Sequence, residues 1–457
     1  MFTRRAPLIT LLIAITLLCA ALTNSLLARG SAAPTAELPN LPAAQTPAPR
    51  SASYTGPGSC AASACHGAVR APAGSRILQT EYTTWIAQDR HARAADVLSN
   101  PVSVRMAKIL GLGAAHTAPK CLACHSLDAP EATQARTFTQ EGVSCEACHG
   151  PASAWLGPHT TKGWTHAQSV QLGMYDTKDV VKRTELCLTC HLGTPQKFVD
   201  HEMIAAGHPD LVFDLEAFSA AMPRHWRTGP EHDAFGPVRT FAVGQLVHAR
   251  AALDRLAWRV KGPVWPEYAE LDCFACHHSL TRPEDSWRQA MGYENRRPGN
   301  PALNMARWAT ARHVLAAFDP ASAEELAPLM TAIARDGSRL RVDADALAAA
   351  IGRARAILDR GVARALAARP DAVGAQRLFR AIAADAEGIA AQGERAAEQA
   401  AMAMETLHAA MASREAATGA GKAFDELFAQ FQSPSTYDPR KFVAQVRRIE
   451  AAVAGTR

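Results

Sequence analysis

The chain has 457 residues, 48 % of them apolar and 20 % charged, which is enough to bury a sizeable core. Its formal charge of +5 comes without any patch of lysine and arginine interleaved with aromatics, and this excludes nucleic acid as a partner. Phosphate-binding loops, nucleophile motifs and paired-carboxylate patterns are also missing, so the usual hydrolase and nucleotide-dependent classes are excluded.

Arg4 and Arg5 open the chain, and an apolar run follows from about Leu8 to Leu27. This is the pattern of an export signal. Ser31-Ala32-Ala33 offers a cleavage site, while the length of the run also suits an uncleaved span, so residues 1–33 are read as a signal peptide or an N-terminal anchor. Cys19 follows Leu18, where a lipoprotein cysteine requires a small residue, and it leaves with the signal. Residues 34–53 are an Ala/Pro-rich linker too poor in large apolar side chains to order itself.

Ten of the 11 cysteines form five pairs, each followed at once by a histidine. The pairs are Cys60 and Cys65 with His66, Cys121 and Cys124 with His125, Cys145 and Cys148 with His149, Cys187 and Cys190 with His191, and Cys273 and Cys276 with His277. Two thiols at this spacing add to the two vinyl groups of one porphyrin edge while the next side chain reaches the iron. Five covalently bound haem c groups are therefore expected, with the five histidines as proximal iron ligands. The first pair is stretched: Ala61-Ala62-Ser63-Ala64 separates its cysteines, so its backbone must bulge to present both sulfurs. A zinc ribbon or a disulfide framework explains paired cysteines, but neither predicts a histidine after every second one.

Haem c is attached outside the bacterial inner membrane, so the motifs and the N-terminus together indicate a periplasmic protein. Loss of Arg4, Arg5 and Arg29 with the signal lowers the charge to about +2, and five ferric haems with their propionates bring it to about −3.

The expected fold is mainly α. Residues 54–304 form a pentahaem region of short helices and loops wrapped around stacked haems, its apolar runs broken by Gly207-His208-Pro209 and Gly262-Pro263. Residues 305–457 form a helical bundle. Beyond Pro320 there is no cysteine and one histidine, His408, and helical periodicity runs over Ala344–Ala368 and Ala372–Arg414. Breaks at Arg369-Pro370, Gly419-Ala420-Gly421 and Pro434 to Pro439 predict four or five helices, a module for packing or for oligomerisation.

Twelve of the 17 histidines remain for the distal side of the irons. Low-spin electron-transfer haems want a second strong-field ligand. His91, next to Asp89; His116, five residues ahead of Cys121; His159, a short turn after His149; and His208, between Gly207 and Pro209, are the distal candidates. His248 is favoured as the fifth over His201 and His225. His278 directly follows a proximal ligand and cannot bind the same iron.

Trp85-x-x-x-Asp89-x-His91, Gly142-Val143-Ser144-Cys145-Glu146-Ala147-Cys148-His149-Gly150-Pro151 and Ala206-Gly207-His208-Pro209, with Phe213 and Leu215 after it, carry a resemblance. From Cys60 to about Phe218 the chain resembles the tetrahaem cytochrome c-554 type of electron carrier, the partner of hydroxylamine oxidoreductase. The resemblance implies haems in stacked and perpendicular pairs, mostly bis-histidine, with one iron five-coordinate. The chain departs from that family in its stretched first motif, its fifth motif and its helical C-terminal region. In layout it also resembles pentahaem nitrite reductase, whose catalytic haem motif has a lysine where every motif here has a histidine.

The function expected is a periplasmic relay passing electrons between redox protein partners, tethered to the membrane if the N-terminus is not cleaved. The alternative is an oxidoreductase with one open iron acting on a small nitrogen or sulfur oxyspecies, with Arg224, His225 and His232 lining the pocket. A third reading is a subunit whose C-terminal helices dock into a larger complex.

Overall fold

A computed structural model describes residues 52–75, 77–127, 129, 140–227, 235–277, 300–411, 417–432 and 437–455. The segment 1–33, nearly all of the linker, Cys19, His232, His278 and Arg296-Arg297, a pair the sequence offers as propionate partners or solvated surface, lie outside the described residues. The described residues belong to one compact unit. As expected the fold is mainly α, and among the described residues the sole β pairing is an isolated bridge between Leu271 and Leu303. No helix among them is long and apolar enough to cross a membrane.

Short helices carry the first half: α1 (Glu81–Gln88), α2 (Pro101–Ile109), α3 (Pro119–His125), α4 (Cys145–His149), α5 (His166–Gln171), α6 (Val180–His191), α7 (His201–Ala206) and α8 (Leu215–Ala221). Their starts are fixed by polar caps. Asn100, Thr165, Asp179, Asp200 and Asp214 each accept a backbone N–H of the first turn.

The second half is built on longer helices. These are α9 (Gly236–Lys261), α10 (Ala306–Phe318), α11 (Pro320–Gly337), α12 (Ala344–Ala367), α13 (Ala372–Ala384), α14 (Ala386–Ala390), α15 (Glu394–Met411), α16 (Ala417–Phe428) and α17 (Pro439–Gly455). Two expectations are corrected. Ala372–Arg414 is not one helix, because its chain turns at Asp385 and again at Gly393. Gly419-Ala420-Gly421 does not break the chain either: α16 runs through it.

The long α9 was not foreseen among the short elements. It is buried through its middle, from Phe241 to Ala249, and so lacks the polar stripe that marks a surface helix. It packs on α6, α10 and α12, and one hydrophobic core runs without interruption from Leu188 to Ile449. Polar links, buried at Gln245 and reaching the surface at Asp359, join the helices around this core. Gln245 donates to Asp214 at 2.6 Å and accepts from Thr310 at 2.5 Å, while Arg250 joins Glu185 on α6 to Asp359 on α12.

Candidate haem sites

Helical geometry explains the motif. In Cys-x-x-Cys-His the first cysteine, the second and the histidine stand at i, i+3 and i+4, so all three share one face. The motifs at Cys121, Cys145 and Cys187 each end a helix on their histidine. At Cys273 the same closure is a single turn, in which His277 N–H donates to the Cys273 carbonyl at 2.8 Å.

The stretched motif reaches an equivalent closure by a different route. Cys65 and Gly67 both donate to the Ala62 carbonyl, at 2.8 and 3.0 Å, and His66 N–H donates to the Cys60 carbonyl at 3.3 Å. The two extra residues are thereby looped out and the cysteine-to-histidine link is restored. Gly67 is required by this bulge, since a Cβ there would lie 1.9 Å from the Ala61 carbonyl oxygen.

An imidazole nitrogen sits about 2.0 Å from a ligated metal and about 1.1 Å from its own ring centroid, so two imidazoles trans on one iron have centroids about 6.2 Å apart. Four motif histidines have a partner at that separation. His66 faces His159 at 6.2 Å, His191 faces His91 at 6.2 Å, His125 faces His208 at 6.4 Å, and His277 faces His201 at 6.4 Å. The first pair is nearly parallel, at 10°, while the second and third are nearly perpendicular, at 89° and 87°.

Hydrogen bonds orient five of these rings. Nδ1–H donates to Glu81 in His66 and to Asp89 in His91, each at 3.0 Å, and to the carbonyls of Ala94 in His125, Leu156 in His159 and Pro209 in His208. Carboxylates and carbonyls only accept, so the proton is on Nδ1 and Nε2 keeps its lone pair for a metal. This is the donor set that a bis-histidine iron needs.

Two expected distal residues lie elsewhere. His248 is 3 % exposed on α9 and borders Phe213, its ring centroid 6.0 Å away, and it faces no motif histidine. Phe213 in turn stacks on His191 at 5.0 Å, so His248 supports that site from behind. His116 is exposed on a short turn and also faces no motif histidine. The partner of His277 is instead His201, at the start of α7.

His149 differs from the other motif histidines. No histidine among the described residues faces it at the separation of one iron. Burial first, then His225, His66 and His166, push its imidazole down to about 4. His225 donates Nδ1–H to the Pro223 carbonyl at 3.2 Å, which leaves its Nε2 bare.

Contacts between motifs fix their order. The Cys60 and Cys145 thiols are within hydrogen-bonding reach of each other, as are those of Cys124 and Cys190. Cys148 lies close to Cys187 and Cys190. Glu146, 2 % exposed between Cys145 and Cys148, accepts the N–H groups of Thr55, Gly56 and Ala152 and so ties the lead-in of the first motif to the third. Lys120, beside Cys121, pairs at 2.7 Å with Asp200, beside His201. Gly142 lies flat on the segment that bears His91, where a Cβ would come 2.4 Å from the His91 carbonyl oxygen, and Val143 N–H donates to that same oxygen at 2.9 Å.

Residues 60–150 match the family of cytochrome c554 and c-prime. No curated protein and no solved structure matches the chain. The match and the geometry agree on a c-type cytochrome resembling that family, with covalently bound haem c and a place in electron transfer between redox proteins.

Proposed function

We propose that the chain is an exported electron relay carrying five haem c groups, four of them clamped between two histidines. The observation that carries this reading is the set of four imidazole pairs, each at the separation that a single iron dictates. Bound haem supplies a one-electron ferric–ferrous couple. The protein's part is to keep the coordination of each iron alike in both states and to set its potential. Glu81 and Asp89 make His66 and His91 more electron-rich through Nδ1–H, which favours the ferric form at those two sites.

The motif contacts support a line of sites rather than a cluster. It runs from the Cys60 motif to the Cys145 motif, on to the Cys187 and Cys121 motifs, and through the Lys120–Asp200 pair to the His201–His277 site. Electrons entering at one end leave at the other, to protein partners on the outer side of the inner membrane to which the N-terminal segment directs the chain. Reductive titration should take up five electrons per chain and return them to an external acceptor. Uptake of fewer than five contradicts the reading.

His149 favours a second reading, an oxidoreductase acting on a small nitrogen or sulfur oxyspecies at the His149 site with His225 as its polar neighbour. Steady turnover of nitrite or hydroxylamine that disappears in His225→Ala, with electron uptake unchanged, would establish it. Absence of turnover leaves the relay.

A further inference from the structure

A cavity walled by Leu192, Asp210, Glu270 and Arg307 is lined by residues next to two cysteine motifs and to His208, the ring facing a third. Leu192 follows His191, Asp210 lies two residues beyond His208, and Glu270 lies three before Cys273. Most arginines around it are matched. Arg255 donates to Glu270 at 2.6 Å and to the Leu192 carbonyl at 3.0 Å. Arg395 pairs with Asp210 and donates to the Ala269 carbonyl at 3.1 Å. Arg259 donates to the Val199 carbonyl at 3.1 Å and pairs with Glu267 and Glu270, although its Nε, 3.3 Å from Glu270, makes no hydrogen bond.

Arg307, in the first turn of α10, is the exception. One of its nitrogens donates to the Leu211 carbonyl, while its Nε and Nη1 are sealed from solvent and have no partner. Asp210, which is already paired with Arg395, and more weakly Glu398 are near enough to attract it, but neither shares a hydrogen bond with its Nε or Nη1. A guanidinium does not shed its proton, and leaving two of its nitrogens dry in the interior is costly. The site is therefore short of an anionic acceptor that the protein's own side chains do not provide.

We infer that Arg307 is the receptor for a porphyrin propionate, the carboxylate of a haem attached beside this cavity. The inference rests on the five-haem reading. A propionate suits the site because it is a carboxylate delivered on a rigid ring edge, the geometry for which an arginine fork is suited. Arg307 and Arg395 both come from beyond residue 304. The C-terminal helices thus complete the haem sites rather than only packing beside them.

Potentiometric titration of Arg307→Gln tests this. A positive charge beside a propionate favours the reduced iron, so one midpoint potential should fall while four hold and the haem count stays unchanged. Arg307→Lys, which keeps the charge, should fall less, and it carries the test alone if the glutamine variant does not accumulate. Unchanged potentials in both variants overturn the inference. So does a wild-type potential that shifts on adding nitrite or sulfate, since a mobile anion would then occupy the place. A wild-type haem count other than five fails the five-haem reading separately, whatever the variants do.

Discussion

His201 and His277 face each other with ring centroids 6.4 Å apart, while His248, the other candidate for that role, faces Phe213. The two histidines should therefore respond differently to removal. His201→Ala should convert one low-spin haem to high-spin and open one carbon monoxide site. His248→Ala should leave the low-spin count unchanged and cost about 2–4 kcal/mol of stability through the cavity it leaves. Optical titration with carbon monoxide and denaturant unfolding separate the two effects.

The looped-out pair in the first motif depends on Gly67. Gly67→Ala should drive its Cβ into the Ala61 carbonyl and cost the protein one haem, read as a loss of one haem in intact mass. Deleting Ala62 and Ser63 in the same chain removes the bulge and should restore the haem. A Gly67→Ala protein with its full complement would show that the bulge does not govern attachment.

Glu146 takes three backbone N–H groups from two segments, with Thr55, Gly56 and Ala152 as donors. Hydrogen bonds to a charged group are each worth about 1.5–3 kcal/mol, and buried donors left bare add to the cost. Glu146→Ala should lower the unfolding free energy by about 3 kcal/mol or more. Chemical denaturation followed by far-ultraviolet circular dichroism measures it.

Asp385 accepts from His313 at 2.7 Å and from Arg312. Burial alone would raise its carboxyl, but the hydrogen bond from His313 and the Arg312 guanidinium outweigh that and hold it below the usual value of 3.8. A depressed carboxyl stabilises the fold above its unfolded pKa and loses that contribution as pH falls through the folded one. Asp385→Asn should therefore cost about 1–3 kcal/mol near neutrality and flatten the loss of stability below about pH 4. Parallel stability curves in acid would contradict this.

The five cysteine-pair and histidine motifs stood out in the sequence because the chemistry proposed for them is local: thiols and imidazole must be contiguous to reach one porphyrin. His91, His159 and His208, whose rings lie 6.2–6.4 Å from those of His191, His66 and His125, stood out through their neighbours Asp89, Gly150-Pro151 and Gly207, which shape the chain around them. His201 was harder. It stands seven residues before His208, which on one continuous helix would set both on nearly the same face, but α7 stops at Gly207 and sends the two rings to different motifs. Neither Gly67 nor Glu146 announces itself, since the contacts that require them come from backbone that the sequence does not show to be adjacent. The long α9 was hidden for another reason: buried on nearly every side, it has no polar stripe to betray its period.

Electron paramagnetic resonance of the oxidised protein, with spins counted per chain, tests the central claim most directly. Four low-spin centres and one high-spin centre are predicted, the four from the facing histidine pairs and the fifth from His149. The 10° pair should give an ordinary rhombic signal, and the 89° and 87° pairs the strongly anisotropic kind. Five low-spin centres, or a total other than five, would contradict the account.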